Sequence, residues 1–216
     1  MVLKLHGWFG STCTRRVGAV LHEKQIPFEF VNVDLQSGEH KSPAFVAIQP
    51  FGQVPYIDDD GFILYESRAI SRYLEAKYPN QGTKLIPDGL KERALFEQAA
   101  SVEVSNFDPH ASGAVAENLF KPFWGKTPDP AVFEEHIKQL AARLDAYEVI
   151  LSKQKYVAGD VYTLADIFHL PYGWSLSIAG SEILADESRP NVVRWWKDIT
   201  SRESWQAVKD AVKSTV

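Results

Sequence analysis

Residues 53–70 read QVPYIDDDGFILYESRAI, and this stretch decides the fold of the chain. Two short apolar runs flank an acidic turn at residues 58–61, a pattern that predicts a β-hairpin. Pro55 stands at the entry of the first run, although a proline donates no hydrogen bond to a central strand. Pro55 therefore marks either an edge strand or a cis bond between Val54 and Pro55.

Ser67 follows the second apolar run, at the point where a helix should begin. A serine there offers its hydroxyl, the free N–H groups of the first helical turn and the positive end of the helix dipole, all of which suit a carboxylate. A cis bond before Pro55 would turn the amide and carbonyl of Val54 outward beside this anion site. The outward-facing backbone of Val54 and the anion site at Ser67 would together suit a small acidic peptide. The alternative is that Ser67 only caps the helix.

The composition excludes several classes of protein. A chain of 216 residues with 45% hydrophobic residues can form one large domain or two small ones. The net charge of −5, without a stripe of lysine and arginine, argues against nucleic-acid binding. The single cysteine, Cys13, cannot form an internal disulfide and favours a reducing, cytoplasmic compartment. We expect no signal peptide, because residues 1–7 lack an apolar h-region and Gly7 interrupts them. We also expect no membrane span, because no apolar run approaches about 20 residues.

The pattern of the sequence changes near residue 80. Before this point, short apolar runs alternate with helical patterns in the order of a thioredoxin-like domain, β-α-β followed by β-β-α. The predicted elements are a strand at 2–6, a helix at 14–24, a strand at 28–33, the hairpin and a helix at 67–78.

From residue 90 onward the pattern is helical. Thr163 and Asp166 have the spacing of a capping box and open one of these helices. The other predicted helices cover 91–114 (one helix or two), 130–152, 191–201 and 204–212. We therefore predict an α/β plus all-α protein: a thioredoxin-like domain at 1–80, a linker at 81–89 and an all-helical domain at 90–216.

The loop between the first strand and the first helix carries the candidates for catalysis. In parallel α/β units, ligands gather where strands end and helices begin. The Ser11 hydroxyl could donate a hydrogen bond to a thiolate and so lower the pKa of a bound thiol from about 8.5. Alternatively, Ser11 only caps the helix. Cys13, in the first helical turn, is either a packed thiol or a nucleophile.

Eight motifs give the chain a resemblance to a known family over nearly its whole length. In chain order they are STCTRRV (11–17), LHEK (21–24), GEHK (38–41), QPFGQVP (49–55), ESRAI (66–70), AGDVYTLAD (158–166), RWW (194–196) and RESW (202–205). Together they resemble the soluble glutathione transferases, and most closely the phi class.

The resemblance implies a role for each matching position. Ser11 corresponds to the serine that holds the glutathione sulfur as a thiolate. The implied glutathione-binding residues are His40 and Lys41 for the glycyl carboxylate, Gln53, Val54 and the cis Pro55 for the cysteinyl backbone, and Glu66 and Ser67 for the γ-glutamyl end. Glutathione is then a co-substrate, and no metal or other cofactor is implied. The resemblance also implies a homodimer in which Phe51 inserts into the partner.

An apolar electrophile is the expected second substrate, and organic hydroperoxides are a further candidate substrate. A hydrophobic pocket at the domain interface could be lined by Phe9, Thr12, Leu35, Phe107, Leu119, Phe120, Phe123 and Trp124. Two alternatives stay open. One is a non-catalytic carrier of hydrophobic compounds, a ligandin. The other is a thiol transferase that uses Cys13.

Overall fold

The computed structural model describes residues 2–216, which divide into two compact units. The first unit contains residues 2–84 together with 203–216, and the second contains residues 85–202. The first is an α/β unit of thioredoxin-like topology and the second is all-helical, in agreement with the predicted fold class. The last residues of the chain, assigned by sequence to the helical domain, pack on the first unit instead.

A four-stranded mixed sheet forms the centre of the first unit. The strands are β1 (Leu3–Gly7), β2 (Phe28–Asn32), β3 (Tyr56–Asp59) and β4 (Phe62–Tyr65), arranged in the order β2-β1-β3-β4. β1 and β2 are parallel, whereas β3 pairs antiparallel with both β1 and β4. The predicted β-α-β unit and hairpin are thereby confirmed.

The helices of the first unit are α1 (Thr12–Glu23), α2 (Pro43–Ile48) and α3 (Ser67–Lys77), with a 3₁₀ turn at Glu39–Lys41. α1 and α3 pack against each other. Their apolar faces and the central strands contribute side chains that are fully buried, such as Leu5, Leu21, Ile57, Ile70 and Leu74. This burial fixes the two helices relative to the sheet, and with them the positions where both helices begin.

The C-terminal residues return to the first unit. A short helix, α10 (Glu203–Gln206), contacts α1, and the Ser204 hydroxyl donates to the Glu23 carboxylate at 2.6 Å. The predicted helix at 204–212 is thus wrong in its length. Val208 and Val212 have helical spacing, yet both pack beside Gly18 of α1, where the absence of a side chain leaves room for them. Tertiary packing overrides the local pattern here.

The second unit is a helical bundle. Its first part is a long helical segment made of α4 (Leu90–Val102), α5 (Asp108–Val115) and α6 (Lys121–Phe123). These helices are joined by π-helical segments at Glu103–Phe107 and Ala116–Phe120. The remaining helices are α7 (Pro130–Leu151), α8 (Leu164–Ile178) and α9 (Pro190–Thr200). The predicted helix at 91–114 therefore continues to residue 123, because two wider turns prolong it without a break.

The predicted capping box at the start of α8 is confirmed. The Thr163 side chain caps the helix, and the Asp166 carboxylate returns to the backbone N–H of Thr163 at 2.9 Å. Asp166 is fully buried and also accepts hydrogen bonds from Trp195 Nε1 at 2.9 Å and from the Val157 N–H at 3.2 Å. One carboxylate thus joins α8 to α9 and to the loop before α8, a structural role.

Within the part of the chain that the structure describes, none of the helices has the length and apolar character needed to cross a membrane.

Candidate functional site

The predicted site residues meet at one edge of the sheet. In the strand register, His6 lies opposite Tyr56, and Tyr56 lies opposite Tyr65. The end of β1, the start of β3 and the end of β4 are therefore neighbours. Ser11 follows β1, Pro55 precedes β3 and Ser67 follows β4, so three stretches distant in sequence open on the same edge. The sequence predicted that these stretches meet only indirectly, through the predicted order of strands and helices in this unit.

Ser11 is the N-cap of α1. Its backbone is extended (φ −68°, ψ 131°), and its Oγ accepts a hydrogen bond from the Thr14 N–H at 3.3 Å. A serine hydroxyl has one donor hydrogen and two acceptor lone pairs, so capping uses only acceptor capacity. The hydroxyl hydrogen of the half-buried Ser11 can still be donated to an anion at the positive end of α1. Both functions considered for Ser11 are thus compatible.

The loop before β3 contains the predicted cis bond, which the structure confirms between Val54 and Pro55. The Gln53 N–H donates to Oε1 of the buried Gln49 at 3.1 Å, which anchors the loop from within. Val54 packs against a small core cluster of Val33, Phe45 and Tyr56. The Gln53 side chain is left exposed.

His40 and Lys41 lie side by side in the 3₁₀ turn. The Lys41 ammonium donates to the carbonyls of Phe51 at 3.1 Å and Gly52 at 2.7 Å, which ties this turn to the loop before Pro55. Burial and the neighbouring Lys41 charge lower the pKa of His40 below its ordinary value. The Lys41 ammonium is therefore the cation of this pair, and its third donor can serve an anion.

Glu66 and Ser67 form the start of α3. Glu66 has φ +72°, in the left-handed region that is rarely occupied by residues other than glycine, and its side chain is exposed. Such strained residues cluster at ligand sites. Ser67 is 5% exposed, and its Oγ accepts a hydrogen bond from Arg16 Nη1 at 2.8 Å. The predicted anion site at this helix start thus has a buried cation behind it.

The predicted pocket residues fall into different environments. In the first unit, Phe9 is 46% exposed, Thr12 is buried, and Leu35 packs on the cluster of Val33, Phe45 and Tyr56. In the second unit, Phe123 and Trp124 are exposed and stack on each other edge to face, while Leu119 and Phe120 are half-buried.

Phe107 is the exception among these candidates. It is fully buried, and its ring packs against His169 and Tyr147 in the core of the helical unit. An aromatic residue at helical spacing is ambiguous between core and pocket, and here it belongs to the core. We therefore leave Phe107 out of the proposed pocket.

Two contributors to the site edge had no clear signal in the sequence. The Val212 N–H donates to the carbonyl of Phe9 at 3.3 Å, and Arg15 Nη2 donates to the carbonyl of Asp210 at 3.3 Å. The C-terminal segment thus holds the loop that carries Ser11. The C-terminal segment is the first of these contributors, and Arg16 is the second. Arg16 lies in the motif at 11–17, but nothing in the sequence indicates that its guanidinium reaches Ser67.

A separate cavity of about 190 Å³ lies within the second unit. Its apolar lining comes from α4, α7 and the following loop and includes Leu95, Ala99, Val102, Val149, Ile150 and Val157. None of the predicted glutathione-binding residues borders it. Among residues 2–216, no group of three or more histidine, cysteine, aspartate or glutamate side chains is placed to hold a metal ion.

Comparison of the sequence with models of known families identifies the class of protein. The N-terminal domain of glutathione S-transferases matches residues 5–82, and the C-terminal domain of the same family matches residues 107–203. The chain is 46% identical to glutathione S-transferase PM239X14 of Arabidopsis thaliana over 200 residues, which are 91% of this chain and 90% of that protein. It belongs to the glutathione S-transferase family.

Solved structures refine the assignment. Glutathione transferase F7 from Populus trichocarpa superposes with a TM-score of 0.91 at 42% identity, covering 96% of this chain and 97% of that one. Maize glutathione S-transferase I, solved in complex with an atrazine–glutathione conjugate, superposes with a TM-score of 0.87 at 31% identity, covering 97% of each chain. Within the family, the chain is a phi-class transferase, as are its F-named plant relatives.

Proposed function

We propose that this transferase activates glutathione through Ser11 and transfers the thiolate to apolar electrophiles. The observation that carries the proposal is the Ser11 hydroxyl at the start of α1, which retains a hydrogen to donate beside the sheet edge. The glutathione thiol loses its proton to water, and Ser11 and the helix dipole stabilise the thiolate. The sulfur then bonds to the electrophilic carbon as the leaving group departs with its electron pair.

The charges along the edge match those of glutathione from one end to the other. At the α3 start, the Glu66 carboxylate suits the γ-glutamyl ammonium, and Ser67 with the free N–H groups of the helix suits the carboxylate. The Val54 backbone is assigned to the cysteinyl residue, beside Gln53 and Pro55. Lys41 and His40 are assigned to the glycyl carboxylate. Binding thus requires no metal or other cofactor, and glutathione is consumed as a co-substrate.

The second substrate is an apolar compound. The exposed Phe9, Phe123 and Trp124, with Thr12, Leu35, Leu119 and Phe120, are the candidate contacts. The atrazine–glutathione conjugate bound by the maize relative supports an aromatic electrophile. With an organic hydroperoxide, the thiolate would instead attack the outer oxygen and release the alcohol. A second glutathione would then displace hydroxide from sulfur to give oxidised glutathione and water.

Steady-state turnover tests this proposal. The protein is assayed with glutathione and chlorodinitrobenzene, and separately with cumene hydroperoxide. We expect saturable conjugation that requires glutathione. Glutathione binding without turnover of either compound would favour a carrier of hydrophobic molecules. Absence of glutathione binding would overturn the assigned site.

Cys13 is the centre of the alternative activity, reduction of glutathione mixed disulfides. Its Sγ accepts a hydrogen bond from Arg16 Nη1 at 3.5 Å, so a guanidinium lies beside this thiol. We nevertheless expect Cys13→Ala to leave the kcat of chlorodinitrobenzene conjugation within about twofold of wild type, because Ser11 is the group assigned to the sulfur. Disulfide-reductase activity that vanishes in Cys13→Ala, together with a lost conjugase activity, would favour the cysteine mechanism.

A homodimer is the proposed assembly. Phe51 is 65% exposed although its backbone carbonyl is held by Lys41, so a large apolar side chain projects from an anchored loop. The second unit offers the cavity described above, whose lining includes the exposed Leu95 and Val149. We propose that Phe51 of each subunit occupies this cavity of its partner.

Phe51→Ser is expected to raise the dimer dissociation constant by about 1,000- to 25,000-fold, because each dimer buries two of these phenylalanines and each contributes about 2–3 kcal/mol. Val149→Asp, on the cavity wall, should weaken the dimer similarly. Phe62→Ser is the matched control, since Phe62 is also half-exposed and packs beside a tyrosine, as Phe51 does. Sedimentation velocity measures all three. A Phe51→Ser protein as dimeric as Phe62→Ser would contradict this interface.

A further inference from the structure

Arg16 occupies an unusual position for a charged residue. It lies in the second turn of α1, five residues after Ser11, and none of its surface is exposed. Arginine is almost never fully buried unless its guanidinium is paired, because removal of a charge from water is costly. The partners of this guanidinium therefore indicate what the position is for.

The guanidinium connects the beginnings of two helices. Nη1 of Arg16 donates to Ser67 Oγ at 2.8 Å and to Cys13 Sγ at 3.5 Å. The first contact is buried and links residues that are 51 positions apart. Cys13 lies in the first turn of α1 and Ser67 is the first residue of α3. Arg16 thus ties together the two helix starts that border the proposed glutathione site.

This contact determines how the Ser67 hydroxyl can be used. A lone pair of Ser67 Oγ is occupied by the Arg16 N–H, so the hydroxyl hydrogen must point to another acceptor. Among residues 2–216, no acceptor takes that hydrogen: the other hydrogen bond at Ser67 is made by its backbone carbonyl, which accepts from Ser71 Oγ at 2.7 Å. Ser67 is therefore set as a hydrogen-bond donor at a helix start.

We propose that Arg16 is a positioning residue for an anionic group of the substrate, acting through Ser67. The cation polarises the Ser67 hydroxyl and adds its charge to that of the α3 dipole in a buried setting, where both effects are stronger than in water. The inference rests on the proposed function, in which this anion is the γ-glutamyl carboxylate. It assigns to Arg16 a share in recognising glutathione, although the side chain does not reach the surface.

A pair of ligands separates this role from a purely structural one. Glutathione carries the γ-glutamyl carboxylate, whereas γ-aminobutyryl-cysteinyl-glycine has the same backbone and thiol without it. Dissociation constants for both are measured by titration calorimetry with wild type, Arg16→Met, Arg16→Lys, Ser67→Ala and the double variant Arg16→Met with Ser67→Ala. Cys13→Ala is the control, because it removes the weaker contact of Arg16 and keeps the contact with Ser67.

Wild type should prefer glutathione to the analogue by about 10- to 100-fold, the range expected for a charged hydrogen bond. Arg16→Met should lose most of this preference by weakening glutathione binding, with analogue binding changed less than about threefold. Arg16→Lys should be intermediate, since it keeps the charge but not the planar fork. In the Ser67→Ala background, Arg16→Met should change the preference little further, and Cys13→Ala should retain it.

The outcomes are distinguishable. An unchanged preference in Arg16→Met, or equal weakening of both ligands, would overturn the role of Arg16 while leaving the glutathione site in place. If Arg16→Met does not fold, Arg16→Lys decides, and a preference equal to that of wild type would overturn the inference. Failure of wild type to bind either ligand would instead overturn the proposed function.

Discussion

Ser11→Ala is expected to lower kcat for chlorodinitrobenzene conjugation by about 100- to 1,000-fold, the usual effect of removing one preorganised donor from a developing or stabilised anion. Glutathione affinity should change by less than about fivefold, because the assigned contacts along the Val54 backbone, Lys41 and the start of α3 remain. Initial rates at saturating glutathione, with a separate binding titration, measure the two quantities. A fall in affinity with unchanged kcat would contradict the role of Ser11.

The α2 helix supplies a matched control for this substitution. Ser42 caps α2 with nearly the same backbone conformation as Ser11, and its hydroxyl accepts from the Phe45 N–H at 3.2 Å. Ser42→Ala and Ser11→Ala should each cost about 1 kcal/mol of stability, as loss of an N-cap usually does. Only Ser11→Ala should lose turnover. Equal loss of kcat in both variants would mean that the effect is one of capping.

Asp166→Ala is expected to destabilise the helical unit by about 3–5 kcal/mol. The substitution leaves four donors without their acceptor: Trp195 Nε1, the N–H and the hydroxyl of Thr163, and the partly buried N–H of Val157. Each orphaned donor costs about 1–3 kcal/mol. Urea unfolding at fixed protein concentration measures the loss, and turnover of the folded fraction should remain near wild type. A loss below about 1 kcal/mol would show that these bonds contribute little.

The same carboxylate should make stability depend on pH. Burial raises the pKa of Asp166 to about 6, although the hydrogen bonds that the carboxylate accepts act to lower it. Because the folded-state pKa lies above the unfolded one, this group's contribution is fully present below about pH 4 and is lost as the pH rises through about 6. Asp166→Asn removes the titration. The gain in unfolding free energy from pH 7 to pH 5 should therefore be smaller by about 1 kcal/mol in that variant.

Much of the first unit could be predicted because its signals are local. The hairpin, the cis Pro55 and the start of α3 follow from residues 53–70 alone. In the second unit, the capping box of Thr163 and Asp166 is likewise a local signal, because its spacing is fixed. Alternating strands and helices then determine that these segments meet at one sheet edge. Family resemblance added the proposed roles of Ser11, Lys41 and Glu66, which their residue types alone leave open.

The remaining features depend on contacts between distant residues. Phe107 has the same helical spacing as a pocket residue, and only packing against His169 and Tyr147 places it in the core. The helix predicted at 204–212 ends at Gln206, because Val208 and Val212 pack beside Gly18 of a helix nearly 200 positions earlier. The contact between Arg16 and Ser67 is likewise invisible in a local pattern.

The central claim is that Ser11 stabilises the glutathione thiolate. The most direct measurement is the ultraviolet absorbance of bound thiolate as a function of pH, for wild type and Ser11→Ala at saturating glutathione. We predict that bound glutathione ionises near neutral pH in wild type, and that in Ser11→Ala its pKa returns toward the free value of about 8.5. The same thiol pKa in both proteins would contradict the account.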